Sequence, residues 1–77
     1  MLEMLDIWVY RYEDGYGVLI RKGSKYYRDF EYSEYAYTDL KKLVKEKFGI
    51  KMPFKKDLYW EKDEDGEWVG SYRCEIK

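Results

Sequence analysis

Histidine, the side chain that most often moves protons in catalysis near neutral pH, is absent from this chain. Cysteine occurs once, as Cys74, in a run where apolar and polar residues alternate. With no histidine to activate it, it reads as a core thiol rather than a nucleophile. The carboxylates Asp63, Glu64, Asp65 and Glu67 cluster in a turn but lack the spacing and the following acidic ligand of a calcium loop. They read as an acidic hairpin turn, as do Glu13 and Asp14. Gly15 and Gly17 belong to a hairpin and make no phosphate loop. Arg11, Arg21, Arg28 and Arg73, set among ten tyrosines, are a combination that a metal-independent nuclease toxin could use. That reading comes third. The sequence is expected to be no enzyme and to need no metal or cofactor.

Binding chemistry is better represented. Aromatic and basic residues interleave in RKGSKYYRDF, a mixture that can stack bases and pair phosphates, although Asp29, Glu31 and Glu34 follow at once. Lys41, Lys42 and Lys45 share one side of a helix; this is a solvated face by default and a phosphate-binding ridge as the alternative. Trp8, Tyr10, Tyr12 and Tyr26 fall together with Arg21 and Arg28 if the early strands pair as hairpins. Tyrosine and tryptophan dominate protein interfaces, so these six are the candidate partner-binding residues.

The elements that must position these groups follow from periodicity and turn chemistry. Leu5–Glu13 and Tyr16–Lys22 are expected to be strands joined by a two-residue turn at Asp14-Gly15. That turn pairs Val9 with Ile20, Trp8 with Arg21, and Tyr12 with Gly17. One face then carries Ile7, Val9, Val18 and Ile20, and the other Trp8, Tyr10, Tyr12 and Leu19. Gly23-Ser24 is a second turn before the strand Lys25–Tyr32. A two-residue loop there adds Tyr26 and Phe30 to the aromatic face, whereas one residue more would swap the faces. Ser33–Tyr37 is a short connection.

The one convincing helix spans about 38–49. Thr38 is its expected N-cap, Asp39 suits its positive end, and Leu40, Leu43, Val44 and Phe48 form its apolar stripe. Gly49 is expected to end it in a Schellman motif, with Ile50 folding back and Pro53 preventing continuation. Lys47 should run along the edge of the stripe. Leu58–Lys62 and Glu67–Ile76 complete a second hairpin whose turn lies in Asp63-Glu64-Asp65-Gly66, with Gly66 expected at positive φ in a two-residue turn.

The fold expected is therefore α+β: one domain over residues 1–77, order β-β-β-α-β-β, with the helix packed on a curled five-stranded antiparallel sheet. One short helix can cover only one apolar sheet face. The second must be closed by the last hairpin, by a curled sheet with the aromatics inside, or by a partner or second copy.

Composition narrows the setting. Fifteen basic residues balance sixteen acidic ones, so no global charge draws the chain to nucleic acid or membrane. No apolar run is long enough to span a bilayer, and a single cysteine allows no intrachain disulfide, which suits the cytoplasm. Asparagine and glutamine are missing too, and with abundant lysine and glutamate this suggests a hyperthermophile, archaeal or viral. The stretch VYRYEDGYGVLI, followed later by a helix, resembles the first hairpin of HicB-type antitoxins. The likeness covers that hairpin and implies no role for any residue here. The leading expectation is a small regulatory domain that binds a protein partner or a second copy through its aromatic face. An RNA or single-stranded DNA module is the alternative.

Overall fold

The computed structural model describes residues 3–13, 15–31 and 37–76, with the side chains of all but Phe30 and Glu31. Asp14, Tyr32, the connection 33–36 and the place of the Phe30 ring lie outside the described residues. The strands are β1 Glu3–Tyr12, β2 Gly15–Lys22, β3 Lys25–Glu31, β4 Tyr59–Lys62 and β5 Trp68–Ile76; the helix, α1, is Tyr37–Phe48. All pair antiparallel in one five-stranded sheet of order β3-β2-β1-β5-β4. The α+β domain with sequence order β-β-β-α-β-β is as the sequence indicates.

The first hairpin differs from its expected register by two residues. Tyr12 pairs Gly15, Val9 pairs Val18 and Trp8 pairs Leu19, so Gly15 belongs to the return strand and not to the turn. Gly15 opens the return strand at φ 155°, a backbone angle that suits glycine. The observed register draws Tyr16 inward beside Arg11, where it is buried with its ring edge-on to Tyr37 at 6.0 Å. Burial of that ring outweighs the local Asp-Gly turn preference. A slip of two leaves every side chain on its expected face.

The Gly23-Ser24 loop has two residues, with Lys22 paired to Lys25, so Tyr26 lies on the aromatic side. The second hairpin has a three-residue loop, not the expected two. Asp63 N–H donates to the Glu67 carbonyl at 2.9 Å, and Gly66 N–H to the Asp63 carbonyl at 3.1 Å. Asp63 Oδ1 accepts the N–H groups of Asp65 and Glu67, which closes the turn around the side chain. Gly66 sits at φ 81°, the left-handed residue such loops require.

The inner face of the sheet carries Leu5, Ile7, Val9, Tyr16, Val18 and Ile20, and α1 seals it with Tyr37, Leu40 and Val44. Ile50, Met52 and Leu58 finish the core from the segment that crosses to β4. Leu40 and Val44 are fully buried, while Leu43 and Phe48 are partly buried on the β3 side, where Phe48 meets Tyr27. Thr38 is not the N-cap: the helix already includes Tyr37, and Thr38 is exposed in the first turn. The helix end also differs. Gly49, at φ 68°, donates to the Lys45 carbonyl at 3.0 Å, the single bond of the simpler left-handed cap. Lys47 reaches the sheet edge and pairs with Asp29 at 2.6 Å.

The last hairpin joins the sheet in its plane beside β1 and does not fold over the second face. The sheet is open, with β3 and β4 at its edges. Within the second hairpin the Trp60 ring covers its cross-strand partner Gly70 and donates from Nε1 to the Lys55 carbonyl at 3.2 Å.

Candidate functional site

Two surfaces gather binding chemistry, one on each side of the sheet. On the outer face the register sets Trp8 beside Leu19 and Arg28, Tyr10 beside Gly17, and Arg21 beside Tyr26. Trp8, Tyr10, Tyr12, Arg21, Tyr26 and Arg28 therefore share one face. Tyr26 is 63% exposed and Tyr12 41%. None of the six belongs to the core cluster, and among the described residues no element packs over them. The alternative of a closed sheet with these rings inside is overturned by that exposure.

Two of the arginines on this face are tied to one aspartate. Asp6 stands between Arg21 on β2 and Arg73 on β5, paired in register with each. Arg21 donates to Asp6 Oδ2 from Nε at 3.1 Å and from Nη2 at 2.6 Å, while Arg73 Nε lies 3.2 Å from Oδ1. The Asp6 hydrogen bonds hold the Arg21 proton still more firmly than usual, with Tyr26 adding to the effect. Arg21 is thus committed to Asp6 rather than free for a phosphate.

The second surface lies on the helix side. A groove of about 920 Å³ runs between α1, the first hairpin and the segment 51–55. One wall is the lysine ridge Lys41, Lys42 and Lys45. The opposite wall brings Arg11 from the end of β1 together with Lys51 and Lys55. Tyr16, Tyr37 and Met52 are buried in the floor, and Phe54 stands at the rim, 62% exposed. Among the described residues eleven line the groove, six of them basic and none acidic. Among the described residues, the ion pairs formed by Arg21, Arg73 and Lys47 involve none of these six.

Local structure fixes the groove. Tyr37 Oη donates to the Pro53 carbonyl at 2.6 Å, which ties the helix start to the far wall. Burial, helped by the nearby charge of Asp57, raises the Tyr37 pKa well above an ordinary phenol's, so it remains a donor. Lys41 Nζ lies 4.3 Å from the Phe54 ring centroid, and Lys55 Nζ 5.5 Å from that of Tyr16. The ridge is visible in the sequence as three lysines on one helix side. Its other wall is not, because Arg11, Lys51 and Lys55 are joined only by the fold.

The acidic loop is accounted for by its turn bonds. Among the described residues no three His, Cys, Asp or Glu side chains converge as metal ligands, and no helix is long and apolar enough to cross a membrane. No protein-family model matches this chain, and no curated protein or solved structure matches it. The HicB-type resemblance remains a likeness of one hairpin.

Proposed function

We propose that this domain is a non-enzymatic binding protein for a phosphate-bearing polymer, held in the groove between α1 and residues 51–55. The observation that carries this is charge segregation. In a chain of net charge −1, six cationic side chains line one concavity that, among the described residues, holds no carboxylate. A cleft of one sign focuses its field on a ligand of the other. Lysines serve as point charges for phosphate, and the buried tyrosine floor keeps the walls apart. The cytoplasm of a hyperthermophile is the setting that the lone cysteine and the missing amides favour.

The test is binding of a fluorescent oligonucleotide followed by anisotropy across a salt series. Affinity should fall with salt as counterions are released, by roughly 0.7 in log–log slope for each phosphate contacted on a single strand. Lys41→Glu with Lys45→Glu should abolish binding while the melting curve stays cooperative. Salt-independent binding, or full binding by the double variant, would refute the proposal.

A second reading concerns the outer face and is favoured by the commitment of Arg21 and Arg73 to Asp6. An aromatic face whose Arg21 and Arg73 are already ion-paired suits a protein partner, with Trp8, Tyr10, Tyr12 and Tyr26 as anchors and Arg28 at its edge. Sedimentation over a concentration series tests a second copy as that partner. A dimer weakened by about 2 kcal/mol or more in Trp8→Ala supports it; a monomer throughout removes self-association.

A further inference from the structure

We infer that the groove takes single-stranded nucleic acid, with one unpaired base stacked on Phe54; this rests on the reading of the groove as a phosphate site. Phe54 is the exposed ring at its rim, 62% in water, and the ammonium groups of Lys41 and Lys56 lie over it. The backbone beneath it is fixed from both sides. The Pro53 carbonyl accepts the Tyr37 hydroxyl, and the Phe54 carbonyl accepts the Asp57 N–H at 2.9 Å, opening the 3₁₀ turn Lys55–Asp57. The ring is therefore a platform carried on an anchored segment rather than on a loose loop.

Cations lie over that platform, and a stacking base must displace at least one of them toward its own phosphates. Lys41 Nζ is 4.3 Å and Lys56 Nζ 5.8 Å from the ring centroid. A nucleotide carries both things this pairing addresses: a flat π surface and, one bond system away, phosphates on either side of the sugar. An inorganic polyphosphate or an acidic polypeptide offers the charge without the flat surface. Duplex nucleic acid offers both but hides the faces of its bases inside the stack. The other rings of the site cannot substitute. Tyr16 and Tyr37 are 5% and 7% exposed and lie edge-on to one another in the floor. One stacking position with basic residues on both walls specifies a short site that tolerates any sequence, since every base has a π face.

The experiment compares labelled oligo-U and oligo-dT with three competitors: a duplex of equal length, inorganic polyphosphate and poly-glutamate. Wild type, Phe54→Ala and Phe54→Trp are measured at two salt concentrations. Because Phe54 is mostly solvent-exposed, Phe54→Ala should keep the fold, which circular dichroism confirms. The expected result is preference for single strands, roughly 5- to 150-fold weaker binding in Phe54→Ala, and recovery in Phe54→Trp. Oligo-U against oligo-dT separates RNA from DNA as the source. Equal competition by duplex, polyphosphate or poly-glutamate, or an unchanged affinity in Phe54→Ala, overturns the inference and leaves the phosphate reading standing. Failure of every polyanion to bind overturns both.

Discussion

Asp6 and Arg21 face each other across β1 and β2, and both Nε and Nη2 of the guanidinium converge on one carboxylate oxygen. Arg73 closes from the other side on the second oxygen, so a single aspartate joins three adjacent strands on the outer face. Asp6 is 6% exposed as a result, the one buried charged residue among those described.

Removing that charge should loosen the middle of the sheet. Asp6→Asn cannot neutralise two guanidinium groups and should cost about 1 kcal/mol or more. In a domain of this size this lowers the melting midpoint by roughly 4–8 °C. A melting curve that superimposes on wild type would show that the Arg21–Asp6–Arg73 row contributes nothing.

The helix stripe makes a second prediction. Leu40 is fully buried between α1 and the sheet. Leu40→Ala should cost about 2–5 kcal/mol through lost burial and the cavity left behind. Leu43→Ala should cost less, because Leu43 is only partly buried at the β3 side. Urea denaturation of both variants measures the order, and the reverse order would mean that the stripe is centred elsewhere.

Gly70 is held small by a tryptophan. A Cβ built there would lie 3.0 Å from three ring atoms of Trp60, whose indole is in turn bonded to the Lys55 carbonyl. Gly70→Ala must push the ring aside and should cost about 1–3 kcal/mol. Near-ultraviolet circular dichroism should change with it, and an unaltered spectrum with unaltered stability would contradict the contact.

Tyr37 ties stability to alkaline pH. Its folded pKa is raised, mainly by burial, above the 10.0 of a free phenol. The unfolded chain releases this proton near pH 10 while the folded chain keeps it. The contribution is therefore complete below pH 10 and is lost as pH rises above it. Tyr37→Phe should lose about 0.5–1.5 kcal/mol at neutral pH with the Pro53 bond, yet decline less steeply between pH 10 and 12. Parallel slopes for the two proteins in thermal melts across that range would exclude this linkage.

Much of the architecture was legible in the residues. Alternation gave both strand faces correctly even though the first hairpin slipped by two, since parity survives a slip of that size. The slip itself could not be read, because burial of Tyr16 against Tyr37 depends on a helix more than 20 residues away. The same distance hid Tyr37 as the first described residue of the helix, and with it the demotion of Thr38. At the outer face the six aromatic and basic residues were gathered rightly, but the expected register set Arg21 opposite Trp8. Its true neighbour, Asp6, changes what that face can bind. The groove was half visible: helical spacing exposes Lys41, Lys42 and Lys45, while Arg11, Lys51 and Lys55 arrive through tertiary contacts that leave no periodic trace.

The pairing of β1 with β5 extends from Glu3 with Ile76 to Arg11 with Trp68, so the central strand is paired with the strand farthest from it along the chain. Each flanking hairpin can form locally, but the seam between them closes only after the longest loop in the molecule has been drawn together. The same adjacency makes the domain a natural subject for circular permutation. A short linker joining the strand ends at Glu3 and Ile76, with new ends opened in the exposed loop 64–66, turns that seam into a hairpin; it breaks the chain between β4 and β5 but keeps every strand pairing. Such a permutant should fold faster than the parent, because the nine-pair β1–β5 ladder becomes local while only the four-pair β4–β5 ladder becomes the distant one.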